Sequence, residues 1–460
     1  MRMIKYYEEP AKQIPVLIET DILVVGSGPS GLSASIVAAR EGVDTVLVER
    51  YGCFGGVISQ VGVEGIAWYR HEKTVEANGI GNEFEKRAAE FGGTAPEPQS
   101  ESEAIDAEMF KVVADVMVSE SGITPILHCW AVGVIVENGV IKGVITESKS
   151  GRRAIMAKRV IDCTGDADIA TLAGGPYTKG PKDKLMAVTQ MFSCRGVDRE
   201  KFEKYVREKL KPTYKDWGGK SWGQSDATGN KDIDLFSPFI ESPFYQAQVD
   251  GYIPKEENIF LGGTWSTLSP EGDATQLNMI FMRHIDCTDV WDLTRSEIAG
   301  RRNALYAIKA LNRYVPGFEK ARLRNFGLTL GTRESRQIEG KYRLTEHDVY
   351  NQARFEDSIG IFPEFIDGKG HVTLPTTGRY FQVPYGSLVM KAVDNLLVAG
   401  RSISGDEIAH CAFRNMMCCA VSGQGAGTAA VVSLKTGVTT ANVDIRMVQD
   451  LLKRRGVRIH

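Results

Sequence analysis

An apolar strand signal runs directly into a glycine-rich turn and then a helix: residues 21–40 read DILVVGSGPSGLSASIVAAR, and VDTVLVER follows, ending in Glu49 and Arg50. The run 22–25 predicts a buried strand. Gly26, Gly28 and Gly31 allow a tight turn, close approach of backbone to a pyrophosphate, and close helix packing. Ser27, Pro29 and Ser30 fill the loop between them, at a helix N-terminus whose N–H groups favour an anion. Glu49 stands 21 positions after Gly28, where a carboxylate hydrogen-bonds a ribose diol and disfavours a 2′-phosphate. The pattern selects FAD or NAD over NADP.

The chain's 460 residues exceed what one hydrophobic core supports, so two lobes are expected. A net charge of −3 provides no basic surface for a phosphate backbone, which argues against nucleic acid as a partner. No apolar run approaches the ~18 residues needed to span a bilayer, and the start MRMIKYYEEP lacks the apolar segment of a secretory signal. A cytoplasmic protein without a membrane partner is expected. The eight cysteines include no CxxC pair and the seven histidines are scattered, so no metal site is expected.

After Glu49 a second glycine cluster, 52–56, contains Gly55 and Gly56, small enough to let backbone approach a flat ligand. Helices are expected at 79–91 and at 105–120, the second with Met109, Val112, Val113 and Val116 on its apolar face. Three β runs follow, ILHCWAVGVIVEN, VIKGVITES and RRAIMAKRVIDCTG, separated by Asn138-Gly139 and Ser150-Gly151; they predict a β-meander. From about 174 to 383 aromatic residues and polar loops dominate, including Trp217, Trp222, Trp265 and Trp291. A helix is expected at 296–315, with Ile298, Leu305, Ile308, Leu311 and Val315 on one stripe and Pro316-Gly317 as its stop. The last part returns to α/β grammar, with a strand at 395–400 and a small-residue helix at 414–434. The expected division is 18–174 and 385–440 as a discontinuous nucleotide-binding domain, 175–384 as an inserted substrate domain, and 441–460 as a tail.

Five separated motifs, GSGPSG with Glu49-Arg50, VIDCTGDADIA, GTRESRQIEGKYRLTEHDV, VPYGSLVMKAVDNLLVAGRSIS and RNMMCCAVSGQGAGTAA, occur in order over nearly the whole chain. Together they resemble the FAD-dependent oxidoreductases of the glutathione-reductase-like superfamily. The resemblance implies an α/β fold: a Rossmann-like FAD-binding domain of glutathione-reductase type, with a β-meander, plus an inserted α+β substrate domain. It also implies that Gly26, Gly28 and Gly31 hold the FAD pyrophosphate and Glu49 the adenosine ribose. Val132 would offer its backbone to adenine, and Thr164, Gly165 and Asp166 would line the pyrophosphate side. Gly400 and Arg401 would lie under the ribityl chain. The last helix would aim its N-terminus, around Met416 and Met417, at the flavin's pyrimidine edge.

Two positions depart from that pattern. The wider superfamily carries an acidic residue where this chain has Arg401, and Asp406 is the candidate to supply the missing carboxylate. Gly386 stands where relatives often carry Arg after Pro-Tyr. The later run Gly423-Gln424-Gly425-Ala426-Gly427 lacks a preceding strand and reads as close helix packing, so no separate NAD domain is expected.

FAD chemistry needs a substrate carbon beside flavin N5 and a proton acceptor or donor. His410 in GDEIAHCAFRN is the base candidate, with a structural histidine as the alternative; His371 and His284 are weaker candidates and Tyr385 a hydrogen-bond donor. Arg333 and Arg336 flank Glu334, suiting a carboxylate through paired donors, while a salt-bridge network through Glu334 and Glu339 accounts for the same residues. The expected activity is hydride transfer between a small polar substrate, hydroxyl- or carboxylate-bearing, and flavin, with oxygen or an external carrier as electron acceptor. An NAD-dependent dehydrogenase and an electron-transfer flavoprotein without its own substrate are the competing readings. The helix at 296–315 leaves room for a homo-oligomer.

Overall fold

The computed structural model describes residues 6–66, 69–71, 75–96, 102–210, 223–225, 239–369, 371–373, 375 and 378–460. Trp217 and Trp222 lie outside them, as do the side chains of His71 and His371.

Three short strands and one long one join the first strand in parallel. Thr124–Ile126, Thr45–Val48, Val16–Val25, Gly151–Asp162 and Leu396–Val398 lie side by side in that order. Their registers align Val25 with Val48 and Asp162, and Asp162 with Val398. Gly26, Glu49, Cys163 and Gly400 therefore all emerge at one edge, where the carboxyl ends of a parallel sheet bind ligands. The buried runs Ile22–Val25 and Thr45–Val48 are covered on both faces, as parallel strands must be.

The amino-terminal half of Gly151–Asp162 leaves this sheet and pairs antiparallel with Val140–Ser148, which pairs with Trp130–Glu137. Asn138 and Gly139 both take positive φ, 51° and 76°, as a two-residue hairpin requires. The expected meander thus forms. Its first run is shorter than expected, because Thr124–Ile126 belongs to the parallel edge instead.

A second, antiparallel sheet is built from Val188–Thr189, Phe192–Arg195, Ile259–Thr264, Ala274–Met282 and Arg322–Phe326. It has its own apolar core, running from Val188 to Leu330 and including Trp265. Helix Val290–Tyr314 covers it, but not with the expected stripe. Ile298 and Leu305 are 60% and 55% exposed, while Ser296, Gly300, Asn303, Ala304 and Ala307 are buried with Ile308 and Leu311. The reason is proximity: a Cβ on Gly300 would stand 2.8 Å from Gln190 Cβ, so only small residues fit that face. Helix Ala107–Glu120 is likewise rotated from expectation, burying Phe110, Val113, Ala114, Met117 and Val118 and exposing Val112.

Two expected boundaries also shift. Strands Ser358–Pro363 and Tyr380–Pro384 pack into the core of the nucleotide-type sheet through Ile359, Phe362, Phe381 and Val383, so residues after about 331 do not share the second core. Residues 441–460 are not a loose tail: helix Ile445–Arg454 and the segment after it bury Val448, Leu452, Val457 and Ile459 in the same core.

Among the described residues one helix, Met416–Thr436, is long and apolar enough to cross a bilayer, which the residue-by-residue reading did not expect. It is instead a core helix. Cβ atoms on Gly423 and Gly427 would fall 2.1 Å from Ser30 O and 2.4 Å from Ala34 O, so glycine brings it against helix Pro29–Arg40. Its composition is that of a helix buried on all sides.

Candidate functional site

At the carboxyl edge of the parallel strands a cavity of about 600 Å³ opens, and it continues to the wall of the second sheet. Gly26, Ser27, Gly28, Pro29 and Ser30 line one end with Glu49 and Arg50. Gly26 has φ 95°, and a Cβ there would lie 2.4 Å from Cys163 O. Gly31 is turned away from the cavity; its missing side chain lets Gly26 O approach, where a Cβ would stand 1.8 Å away. Gly56 also lines the cavity and faces Gly28 Cα at 2.5 Å from its own Cβ direction. Gly55 does not reach it and packs against Ser59 and Phe110 instead.

Glu49 is held in place before any ligand arrives. Its Oε2 accepts from Ser27 N at 3.0 Å and Ser27 Oγ at 2.6 Å, and its Oε1 accepts from Tyr51 N at 2.9 Å. The Ser27 side chain thus orients Glu49. Arg50 stacks over the rings of Tyr51 and Trp130 at 4.9 and 5.2 Å. Val132 is 38% exposed and lies off the cavity, which the chain meets one to three residues earlier, at Cys129, Trp130 and Ala131. That shift follows from the short parallel strand, since the chain crosses the cavity mouth as it leaves Ile126.

Thr164 and Gly165 line the cavity on a turn pinned by Asp162. That carboxylate accepts from Thr164 N, Thr164 Oγ1 and Ala170 N at 3.0, 2.7 and 2.9 Å, and burial pushes its pKa up to about 6. Asp166 stands behind this turn and does not face the cavity; its Oδ1 accepts from Arg401 Nη2 at 2.5 Å and Ser335 Oγ at 2.6 Å. Arg401 lines the cavity beside Gly400. Asp166, on the turn after the neighbouring strand, thus pairs with Arg401 and leaves the strand end without a carboxylate facing the cavity. Asp406 does not supply it, because its oxygens accept from Ile408 N, Ala409 N and Glu346 N as a helix cap.

Helix Met416–Thr436 points its amino end into the cavity through Asn415 and Met416, while Met417 turns away toward Gly81. Asn415 makes no capping hydrogen bond with its side chain, which bonds back to Cys411 O and Ala412 O. Gly28, at the start of helix Pro29–Arg40, likewise leaves that helix without a side-chain cap. Two helix starts with free N–H groups thus open on one cavity. Arg401 Nε and Arg414 Nε are also buried there without partners among the described residues. A set of orphaned donors around a glycine-lined slot, with an oriented carboxylate at one end, fits an anionic dinucleotide such as FAD.

The expected catalytic residues are placed unequally. Arg333 lines the cavity, with Nη1 donating to Ala187 O at 2.8 Å. Arg336 does not; it donates to Asp166 O and Asp168 Oδ1, each at 2.9 Å. Glu334 pairs with Lys369 at 2.7 Å and Arg336 with Asp168, so among the described residues no ion pair joins the two arginines to Glu334 or Glu339 as expected. His410 is 1% exposed and does not line the cavity. Burial, reinforced by Arg414, Arg401 and Lys369, holds its pKa well below the usual imidazole range, so it is a neutral core histidine packed edge-on against Phe413. Tyr385 is buried, and its hydroxyl donates to Thr440 O at 2.7 Å, away from the cavity. His284 sits on the exposed rim. The place of His410 has a local cause: short helix Glu407–Phe413 precedes the long one and turns it inward. Trp130, Arg414 and Asn415 face the cavity but were not singled out from sequence; the N-cap position just before the small-residue helix was the available signal for Asn415.

Comparison with known proteins agrees with this geometry. The model of the family described as FAD dependent oxidoreductase matches residues 21–452. A thiamine thiazole synthase of Saccharolobus islandicus is 30% identical over 170 residues, 34% of this chain and 59% of that one. A dihydrolipoyl dehydrogenase of Vibrio parahaemolyticus is 37% identical over 97 residues, 21% of this chain and 19% of that one. The chain thus spans at most about three fifths of these curated relatives. Among solved structures, a geranylgeranyl bacteriochlorophyll reductase-like protein of Thermoplasma acidophilum is 15% identical, covering 95% of this chain and 83% of that one at TM-score 0.46. With its family model matched from the first strand to the last helix, this chain belongs to the FAD dependent oxidoreductases.

Proposed function

We propose that this flavoenzyme oxidises or reduces a small polar molecule, hydroxyl- or carboxylate-bearing, in the part of the cavity between the two sheets. When bound, FAD would supply hydride transfer at its N5, with reoxidation by oxygen or an external carrier. In this reading the nucleotide-type sheet and meander are a glutathione-reductase-type FAD domain, and the second sheet is an inserted cap. The observation that carries it is the continuity of one cavity from the first glycine turn, past the uncapped start of helix Met416–Thr436, to Arg333.

The residues divide by task. Free N–H groups at the start of helix Pro29–Arg40 hold the pyrophosphate, and Glu49, oriented by Ser27, holds the ribose. The start of helix Met416–Thr436 places positive potential where negative charge develops on reduction. Arg333 orients the substrate from the opposite wall, and the second sheet excludes water. Purified protein should be yellow and release FAD, not FMN or NAD, on denaturation, with the flavin bleaching anaerobically on a suitable metabolite. Colourless protein that cannot be reconstituted with FAD would refute the reading.

A further inference from the structure

The second-sheet wall of the cavity presents donors without acceptors. Gln276 and Asn278 stand two residues apart on strand Ala274–Met282 and both line the cavity, Gln276 from an irregular position of the strand with φ 48°. Gln276 Oε1 accepts from the backbone N–H groups of Glu64 and Gly65, the latter at 2.6 Å. Backbone N–H can only donate, which fixes the amide oxygen on the protein side. Asn278 Oδ1 is bonded to Thr189 Oγ1 at 2.8 Å and Arg333 Nη2 at 3.3 Å. A guanidinium cannot accept, so this oxygen is fixed too. Neither amide nitrogen has a hydrogen-bond partner among the described residues, and neither is sealed from the cavity.

Arg333 completes the wall. Its guanidinium lies 4.9 Å from the Phe281 ring centre and forms no ion pair among the described residues. Burial, with Arg414 adding to it, lowers its pKa to about 10, which leaves it cationic at neutral pH. Acids near this wall are already engaged: Asp367 by Arg414 at 3.1 Å, Glu334 by Lys369, and Glu64 by Thr275 Oγ1 and Ala107 N.

We propose that Gln276, Asn278 and Arg333 form a donor-only subsite that holds the carboxylate of the substrate; this rests on the reading of the cavity as a flavin site for a polar molecule. A carboxylate offers about four lone-pair sites and no donor, matching two NH₂ groups and one guanidinium. A hydroxyl offers two lone pairs and no charge to match the guanidinium, and an ammonium offers no acceptor at all. Of the two substrate classes named above, the wall selects the carboxylate.

Gln276→Glu and Asn278→Asp test this directly. Each keeps an oxygen for the same protein donors while turning the cavity-facing nitrogen into an oxygen. Sodium benzoate and sodium acetate, with benzamide and acetamide as neutral counterparts, are titrated calorimetrically into FAD-reconstituted full-length protein, and flavin content is read by absorbance in the same samples. We expect at least one of the two carboxylates to bind about tenfold or more tightly than its amide. Asn278→Asp should weaken it about tenfold or more at unchanged flavin content, with Gln276→Glu acting in the same direction. Arg333→Lys should retain more affinity than Arg333→Met. Equal affinity for carboxylate and amide, no binding of either carboxylate, or wild-type affinity in Asn278→Asp would overturn the subsite. Protein that takes up no FAD yet still prefers carboxylates would refute the flavin reading while supporting the donor wall.

Discussion

The glycine cradle and the second-sheet wall bound the same cavity by opposite means. In the cradle, backbone makes the site: Gly26, Gly28 and Gly56 clear space, helix starts supply N–H groups, and the one carboxylate, Glu49, is oriented by its near neighbours Ser27 and Tyr51. On the wall, side chains make it. Gln276 is oriented by Glu64 and Gly65, more than two hundred positions away, and Asn278 by Thr189 and Arg333. A fixed ligand favours a backbone site that tolerates little variation, whereas a substrate wall of side chains can be altered without rebuilding the fold.

The sharpest way to break this contrast is within the cradle, where two glycines differ. Gly31→Ala places a Cβ 1.8 Å from Gly26 O, so the protein should lose several kcal/mol, about 3 or more, and most of its flavin. At Gly28 a Cβ meets only Gly56 Cα at 3.9 Å. Gly28→Ala should therefore melt within ~2 °C of wild-type apoprotein yet bind FAD about tenfold or more weakly. Equal melting losses in the two variants would show that both glycines serve packing alone.

The joint between the two regions should respond to pH. Glu64 is buried, accepts from Thr275 Oγ1 and Ala107 N, and lies near Asp106 and Arg324. Burial, with Asp106 adding to it against the Thr275 bond, pushes its pKa up to about 7. An acid raised on folding favours the folded state below its unfolded pKa of ~4.3, and that contribution is lost as pH rises through 7. Denaturant unfolding should show stability falling by on the order of 3 kcal/mol between pH 4.5 and pH 8, and Glu64→Gln, which mimics the protonated acid, should flatten that slope. A slope identical in the variant would place the titration elsewhere.

The smallest effect is expected behind the cavity. His410 carries a buried Nδ1 without a partner among the described residues, so His410→Leu removes an unsatisfied polar atom along with the ring. Stability should change by about 1 kcal/mol or less, and stopped-flow flavin reduction should stay within about twofold. A loss of about a hundredfold would restore His410 as the general base.

The same contrast explains what the sequence disclosed. Strand, glycine turn and helix at 22–40 are consecutive, so their geometry is written in neighbouring residues, and the Asn138-Gly139 hairpin is equally local. Helix Val290–Tyr314 shows the limit: its stop was legible, but its start, six residues before the expected one, and its buried face were not, the latter because Gln190, in the link between two distant strands, admits only small residues such as Gly300. His410 was read outward for a similar reason, since the break between helices Glu407–Phe413 and Met416–Thr436 depends on how Asn415 bonds back to Cys411 and Ala412. Arg401 and Asp166 form a pair that neither motif reveals alone.

The seating of Gly423 and Gly427 on Ser30 and Ala34 ties the last long helix to the first. During synthesis, the amino-terminal half therefore leaves the ribosome with its glycine turn formed but without the strand and helix that close the other side. Coenzyme capture must wait until strand Leu396–Val398 and helix Met416–Thr436 have been made, so chains arrested before residue 396 should emerge without flavin and with an apolar helix face open to chaperones.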